Sequence, residues 1–304
     1  MQKLIHMTEN LDIAKEALTH YHLDSKILNK LAFFRASDNS IYVYEDDNHL
    51  YYLRITPYDK KTEDEMISEL HFMRYLNDHH IRVARPIMSK LNDEIFINKN
   101  NYYAVVFKEA KGHRLDKIDL NDDITERLGG YLAKIHMLSV DYHNPFDHTS
   151  YITIINSFKT DHPKIQKEIE EVKEKINDLD LIYGMIHYDF EPDNVFYDSD
   201  TKRFELIDFN DSLYGYYMHD VMIALDEIDP KFHQSFLKGY HQIYKMETYD
   251  PSKLDILKRF DSLNKYFGLK YALSEQPEQK PDWMLNLIGK ITKIIDDYES
   301  SFSK

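Results

Sequence analysis

Hydrophobic and polar positions follow one rhythm in the first third of the chain and another in the rest. From Ile41 to Ile55 two runs rich in β-branched and aromatic residues flank Asp46-Asp47-Asn48-His49, the pattern of a β-hairpin. Tyr102 to Phe107 reads YYAVVF, a buried-type strand that breaks into Lys108-Glu109-Ala110-Lys111-Gly112. Between them, Thr62 to Asn77 places Met66, Leu70, Met73 and Leu76 near one face of a helix. Helical spacing then takes over. Leu128 to Leu138 repeats apolar positions at that spacing, and Ile165, Ile169, Val172, Ile176 and Leu179 form one stripe suited to core packing. The pattern from Pro230 to Lys304 stays helical, with Trp283 just after a QPEQKPD break. A strand-rich front and a helix-rich remainder predict an α+β chain of two lobes, residues 1–109 and 110–304.

Within the second lobe lies a segment that carries chemistry, IHYDFEPDNVFYDSDTKRFELIDF from Ile186 to Phe209. His187 opens a turn that holds Asp189; Asn194 leads into the apolar run Val195-Phe196-Tyr197; a second run, Phe204 to Ile207, ends at Asp208. The polar stretch Asp198 to Arg203 predicts a hairpin between the two runs, which would bring all three side chains to one point. Taken singly, each is also a residue that forms turns and caps helices. As a set they match the needs of phosphoryl transfer: a carboxylate to take a hydroxyl proton, and hard oxygen donors for Mg²⁺, which needs only one or two protein carboxylates besides phosphate oxygens.

H-x-D-x-x-x-x-N followed by I-D-F resembles the catalytic and metal-binding loops of kinases, most closely those of the aminoglycoside phosphotransferase and choline kinase superfamily, with motif support over roughly residues 30 to 225. The resemblance implies a protein-kinase-like two-lobed fold, an N-terminal antiparallel sheet lobe plus a mainly helical C-terminal lobe. It implies an ATP-dependent transfer of the γ-phosphate to a hydroxyl, with Asp189 as base, Asn194 and Asp208 on Mg²⁺, and GTP as the alternative nucleotide. Arg54 falls where protein kinases use a lysine on the phosphates, and Glu69 is its expected ion partner. Ala36 to Ser40 would cover the phosphates but contains no glycine, so Ser37, Asn39 and Ser40 are candidate donors through their side chains. The strand end at Phe107 and Glu109 is the expected hinge, whose backbone would read the adenine edge. Asp220 would brace the catalytic loop by accepting backbone N–H bonds, and Asp211 would touch metal or acceptor or cap a turn. His187 and His136 are expected to pack.

Composition narrows the partners. With 53 acidic against 38 basic residues the net charge is −15, which disfavours a nucleic acid held through its phosphates. An acidic balance favours a cationic acceptor if Asp211, Asp226, Glu227 or Asp229 line the cleft, and some of the 24 tyrosines could add cation–π contacts. Cysteine is absent, so there is no disulfide framework or thiol nucleophile, and the 16 histidines form no zinc pattern. MQKLIHMTEN has no signal-peptide core and no run of about 18 apolar residues occurs, so a membrane partner is not expected and the cytoplasm is the expected location. An aminoglycoside or other aminated small molecule leads as acceptor, ahead of choline or ethanolamine, homoserine, methylthioribose and macrolides. A protein-serine kinase is a further alternative. A catalytically inactive nucleotide-binding regulator is the rival of another class, with its footing in the glycine-free loop and in Tyr188, where many relatives of the resembling family carry glycine. The oligomeric state is not legible from the sequence.

Overall fold

The computed structural model describes residues 1–21, 26–98, 102–245 and 251–302. The first part contains α1 (Leu11–Leu18), β1 (Ala32–Ala36), β2 (Ser40–Asp46), β3 (His49–Pro57), α2 (Glu63–Asp78), β4 (Ile95–Asn98) and β5 (Tyr102–Lys108). The remainder contains β6 (His113–Arg114), α3 (Asp122–Val140), α4 (Tyr151–Ser157), α5 (Pro163–Asn177), β7 (Tyr183–Ile186), β8 (Val195–Asp198), β9 (Arg203–Leu206), β10 (Leu213–Tyr216), α6 (Tyr217–Glu227), α7 (His233–Ile243), α8 (Pro251–Leu273) and α9 (Asp282–Ser301). Of the helical pattern expected from Pro230 onward, residues 246–250 and 303–304 lie outside the described part.

Five antiparallel strands in the order β1-β2-β3-β5-β4 form the front lobe. Asp47 and Asn48 turn the β2–β3 hairpin with positive φ, which these short polar side chains tolerate. The unbroken apolar run of β5 has a simple cause. Successive side chains of a strand point to opposite faces, and β5 is covered on both. Tyr102, Ala104 and Val106 pack with Ala14, Ala17 and Leu18 of α1, whereas Tyr103 and Val105 join the core of Met66, Leu70 and Met73 from α2. The same alternation on β3 sends Leu53 and Ile55 to the α1 side and Arg54 to the α2 side.

α2 starts on a capping box, Thr62 and Glu65 exchanging hydrogen bonds. In the helical lobe the expected α5 stripe is buried through Ile165, Ile169, Val172 and Ile176, against α8 and α4. The hairpin expected between Val195 and Ile207 forms as β8 and β9, with Val195 opposite Leu206 and Asp198 opposite Arg203. Its other edge takes β6, and Gly112 just before β6 sits at φ +97°, where a Cβ would meet the Tyr197 carbonyl at 2.2 Å.

The closest helix contact in this lobe is between α3 and α7, where two glycines let backbones touch. A Cβ on Gly129 would lie 2.0 Å from the Phe236 carbonyl oxygen, and one on Gly239 would lie 1.7 Å from the Glu126 carbonyl oxygen. Gly239→Ala must therefore push the two helices apart, at a cost on the order of 1–3 kcal/mol. Thermal denaturation should show Tm lowered by several degrees; an unchanged Tm would mean that the helices separate freely.

Candidate active site

β7 delivers the chain into the turn 187–194, and the β8–β9 hairpin returns it at Asp208. His187 is fully buried: its Nε2–H donates to the Ile207 carbonyl at 2.9 Å and its ring meets Phe209 edge-on at 4.7 Å, which joins the two loops. Asp220, also fully buried, accepts the N–H of His187 at 2.9 Å and that of Tyr188 at 2.7 Å, while His136 Nε2 donates to it at 3.0 Å. Burial would push the Asp220 carboxyl up, but His136 and these N–H donors hold it below its usual value. Tyr188 and Asp208 occupy the left-handed backbone region, at φ +63° and +62°.

Asp189, Asn194 and Asp208 come together around a polar cavity of about 190 Å³, which Asp38, Glu191 and Asp211 also line. Asn194 donates to Asp189 Oδ2 at 2.8 Å and to the Asp189 carbonyl at 3.0 Å. Burial, then the charge of Asp211, pushes Asp189 up to about 7 against the opposing Asn194 bond. Glu191 is likewise pushed up to about 7, by burial and then by Asp189. Asp211 is raised by desolvation and by Asp38. The acids outnumber their local cations; Arg35 Nη2, 3.4 Å from Asp208 Oδ2, is the one cation bonded to that carboxylate among the described residues. Such a field favours a bound cation. No three His, Asp or Glu side chains among the described residues converge enough to hold a metal unaided. An amide oxygen at Asn194 and a carboxylate at Asp208 suit a hard divalent ion that takes its remaining ligands from phosphate and water.

A second cavity, of about 200 Å³, continues between the lobes and is lined by apolar side chains including Ile41, Met73, Phe107, Phe196 and Ile207, with Asn194 and Asp208 at one end. Arg54 and Glu69 stand on its wall, Arg54 Nη1 donating to Glu69 Oε1 at 2.6 Å. Lys61 Nζ reaches the other carboxylate oxygen at 3.1 Å, and together the two cations outweigh burial and hold Glu69 at about 2. Arg54 Nε and Nη2 are buried donors without a partner among the described residues, so this guanidinium has hydrogen bonds left to give an anion.

The structure disposes the other expected nucleotide contacts unequally. Ser37 lines the polar cavity at the β1–β2 turn. Asn39 lines it too but is nearly buried: its amide donates one N–H to Asn210 at 3.1 Å and its oxygen accepts from Thr56 at 2.8 Å, bonds that prop the turn. Ser40 is turned to Gln2 and the His6 carbonyl. Phe107 lines the apolar cavity and stacks near Arg54, 5.2 Å from the guanidinium. Glu109 does not line it; its N–H goes to the Leu50 carbonyl at 2.9 Å and its side chain faces solvent.

A third cavity, of about 780 Å³, shares Asp189, Glu191 and Asp211 with the polar one. Its wall includes Lys61, Glu65, Glu191, Asp211, Asp261 and Asn264, the last two from α8. Asp226, Glu227 and Asp229, expected there from their position after the metal loop, are elsewhere: Asp226 faces Lys258 at 3.6 Å, Glu227 faces Lys117 at 3.4 Å, and Asp229 caps the turn at Lys231. Asp226 and Glu227 close helix α6, which carries them away from the cleft, and Asp229 follows just beyond it. Sequence reasoning missed Lys61, Arg35, Glu191 and Asp261. Lys61 sits one residue before the Thr62 cap, but the other three have no spacing signal.

With that geometry in hand, a family model described as "phosphotransferase enzyme family" matches residues 31–257. The amicoumacin kinase of Bacillus subtilis strain 168 is 24% identical over 324 aligned positions, covering 96% of this chain and 90% of that protein. The homoserine kinase of Parvibaculum lavamentivorans is 25% identical over 260 positions, covering 79% of each. Among solved structures, an amicoumacin kinase in complex with AMP-PNP, Ca²⁺ and Ami superposes with a TM-score of 0.73 at 21% identity, over 95% of this chain and 94% of that one. The choline kinase of Streptococcus pneumoniae gives 0.65 at 16% identity, over 94% and 99%. These likenesses show the fold, the two-lobed kinase-like α+β architecture.

The crowded acids make a pH-dependent prediction. A carboxyl raised to about 7 in the folded state is ionised more readily when unfolded, so its contribution to stability is intact below about pH 4 and is lost as pH rises through 7. In protein free of nucleotide and divalent metal, Asp189→Asn should raise Tm relative to the parent at pH 8, with the gap closing toward pH 4. A lower Tm at pH 8 would contradict the proposed crowding.

Proposed function

The chain belongs to the phosphotransferase enzyme family, and from that premise we propose that it moves the γ-phosphoryl group of ATP to a hydroxyl of a small, amine-bearing acceptor. The observation that carries the reading is the place of Asp189 on both the polar cavity and the 780 Å³ cavity, while Asn194 and Asp208 connect the polar cavity to the apolar one. Adenine has an apolar slot, the phosphates run past Arg54 to the acids, and the acceptor enters through the 780 Å³ cavity.

In this reading Arg54, pinned by Glu69, holds the phosphate chain through its free N–H donors. Asn194 and Asp208 would hold Mg²⁺, which neutralises charge on the phosphate oxygens. Asp189 orients the acceptor hydroxyl and takes its proton as the oxygen bonds to the γ-phosphorus; the bond from that phosphorus to the bridging oxygen breaks and ADP departs. His187 and Asp220 keep the turn rigid while this happens.

The amine assignment is supported by Glu191, Asp211 and Asp261 on the acceptor wall and by near full-length similarity to a protein named amicoumacin kinase. A second reading has its own observation. Lys265, on the same wall, has no ion partner among the described residues, and Lys60 lines it as well. An acceptor bearing both an amine and a carboxylate, as homoserine does, would suit a wall of both signs.

Purified protein should therefore be offered Mg²⁺ and ATP, with GTP in parallel, against amicoumacin, aminopropanol, choline, spectinomycin, homoserine, methylthioribose, a macrolide and a serine peptide. An amine-bearing acceptor phosphorylated on its hydroxyl is the expected product, and Asp189→Asn should cost about 10² to 10⁴ in kcat with nucleotide affinity nearly kept. Transfer to neutral acceptors alone would remove the amine assignment, and nucleotide binding without transfer to any acceptor would favour an inactive regulator.

A further inference from the structure

Tyr188 stands directly before the base, in a backbone conformation that glycine adopts freely and a bulky side chain resists. It is fixed at both ends. Its N–H donates to Asp220 Oδ1 at 2.7 Å, and its phenol donates to Asp261 Oδ1 at 2.7 Å while accepting from Asn264 Nδ2 at 3.1 Å. Asp220 lies on α6; Asp261 and Asn264 lie on α8 and line the acceptor cavity.

Asp261 is itself held. Its Oδ2 accepts from the fully buried His219 Nε2 at 2.8 Å, and His219 Nδ1 takes the Tyr151 hydroxyl at 2.7 Å, which in turn accepts the Tyr216 N–H at 3.2 Å. The donors and acceptors are all satisfied with a neutral histidine protonated at Nε2. One helix, α6, thus supplies adjacent residues that fix both ends of Tyr188: Asp220 directly at the main chain, and His219 through Asp261 at the phenol. None of these bonds touches the nucleotide cavity.

We infer that Tyr188 is a positioning residue that ties the catalytic turn to α8, so that the helix walling the acceptor cavity also sets where Asp189 stands. The inference rests on the reading of Asp189 as the base. A carboxylate held on one side by Asn194 alone could swing; with Tyr188 anchored to α8, the acceptor's wall and the group that takes its proton move as one body. Placement errors of an ångström at a reacting centre cost about a hundredfold in rate, so such a tie matters to turnover more than to affinity.

The test uses the full chain. Tyr188→Phe keeps the ring, which packs 5.0 Å from His219, and removes only the hydroxyl. Amide exchange in residues 187–191 should become at least about tenfold faster, and kcat for acceptor phosphorylation should fall about 10- to 100-fold, with KM for ATP within about twofold of the parent. Asp261→Ala should reproduce the loss, and the double variant should lose little more than the larger single, because both remove one bond. If Asp261→Ala does not fold, Asn264→Ala closes the cycle from the other side of the phenol. Additive losses, an unchanged kcat, or a rise in KM for ATP matching the fall in kcat would overturn the inference. If the parent phosphorylates none of the acceptors, the assignment of activity fails separately, and the tie is then decided by exchange alone: unchanged exchange in 187–191 overturns it.

Discussion

The fully buried carboxylate of Asp220 is the contact on which the active-site half of this protein depends. It is a charge removed from water that is compensated by two backbone N–H groups and the His136 ring. His136 is itself buried, stacked on Tyr217 with 4.4 Å between ring centroids and bonded to the Tyr240 hydroxyl at 2.6 Å. Removing one member of such a buried set leaves the others unpaired, at a cost of about 3–5 kcal/mol. That penalty makes the turn at 187–188 a rigid object, not a surface loop. Everything downstream is positioned from it: His187 reaches Ile207, and Asp208 follows one residue later.

Rigidity is needed because the site is electrostatically unfavourable to itself. Asp189, Glu191 and Asp211 are all raised, first by burial and then by neighbouring carboxylates, so the ligand-free fold holds several acids away from water and near one another. The front lobe shows the opposite arrangement. There Glu69 has two cations, Arg54 and Lys61, and is held at about 2. Negative surplus at the floor and positive groups on the wall form a gradient that, in the proposed reading, a metal-bound polyphosphate would fit, completing a balance that the protein leaves open.

Much of this was legible in the sequence because it is local. Asp189, Asn194 and Asp208 lie within twenty residues and converge through one hairpin, and Arg54 meets Glu69 because strand alternation turns it away from Leu53 and Ile55. What spacing could not reveal is what arrives from far along the chain. Asp261 meets Tyr188 across 73 positions, and Asp208 finds Arg35 across 173. Spacing also left the role open where a residue type suited two. Asn39 donates to Asn210 and accepts from Thr56, and Glu109 has its N–H on the Leu50 carbonyl. Asp226, Glu227 and Asp229 follow the metal loop closely in sequence, yet they stand at the end of α6 and just beyond it, out of the cleft.

That division between near and far contacts has a consequence for how such a protein can change. The turn, the hairpin and Asp220 form a closed unit between β7 and α6, satisfied by its own backbone bonds and by His136. One part of the wall of the 780 Å³ cavity, Asp261, Asn264 and Lys265, comes from α8, about forty residues beyond Asp220. In the proposed reading, substitutions on α8 would alter what the cavity accepts without disturbing Asn194 and Asp208. In this chain the separation is incomplete, because Tyr188 crosses it. A tyrosine where the backbone favours glycine gives up conformational ease and links the two units in return. Changes at Asp261 or Asn264 would then reach the base as well as the acceptor, so the same bond that would steady Asp189 also narrows which α8 sequences this active site can tolerate.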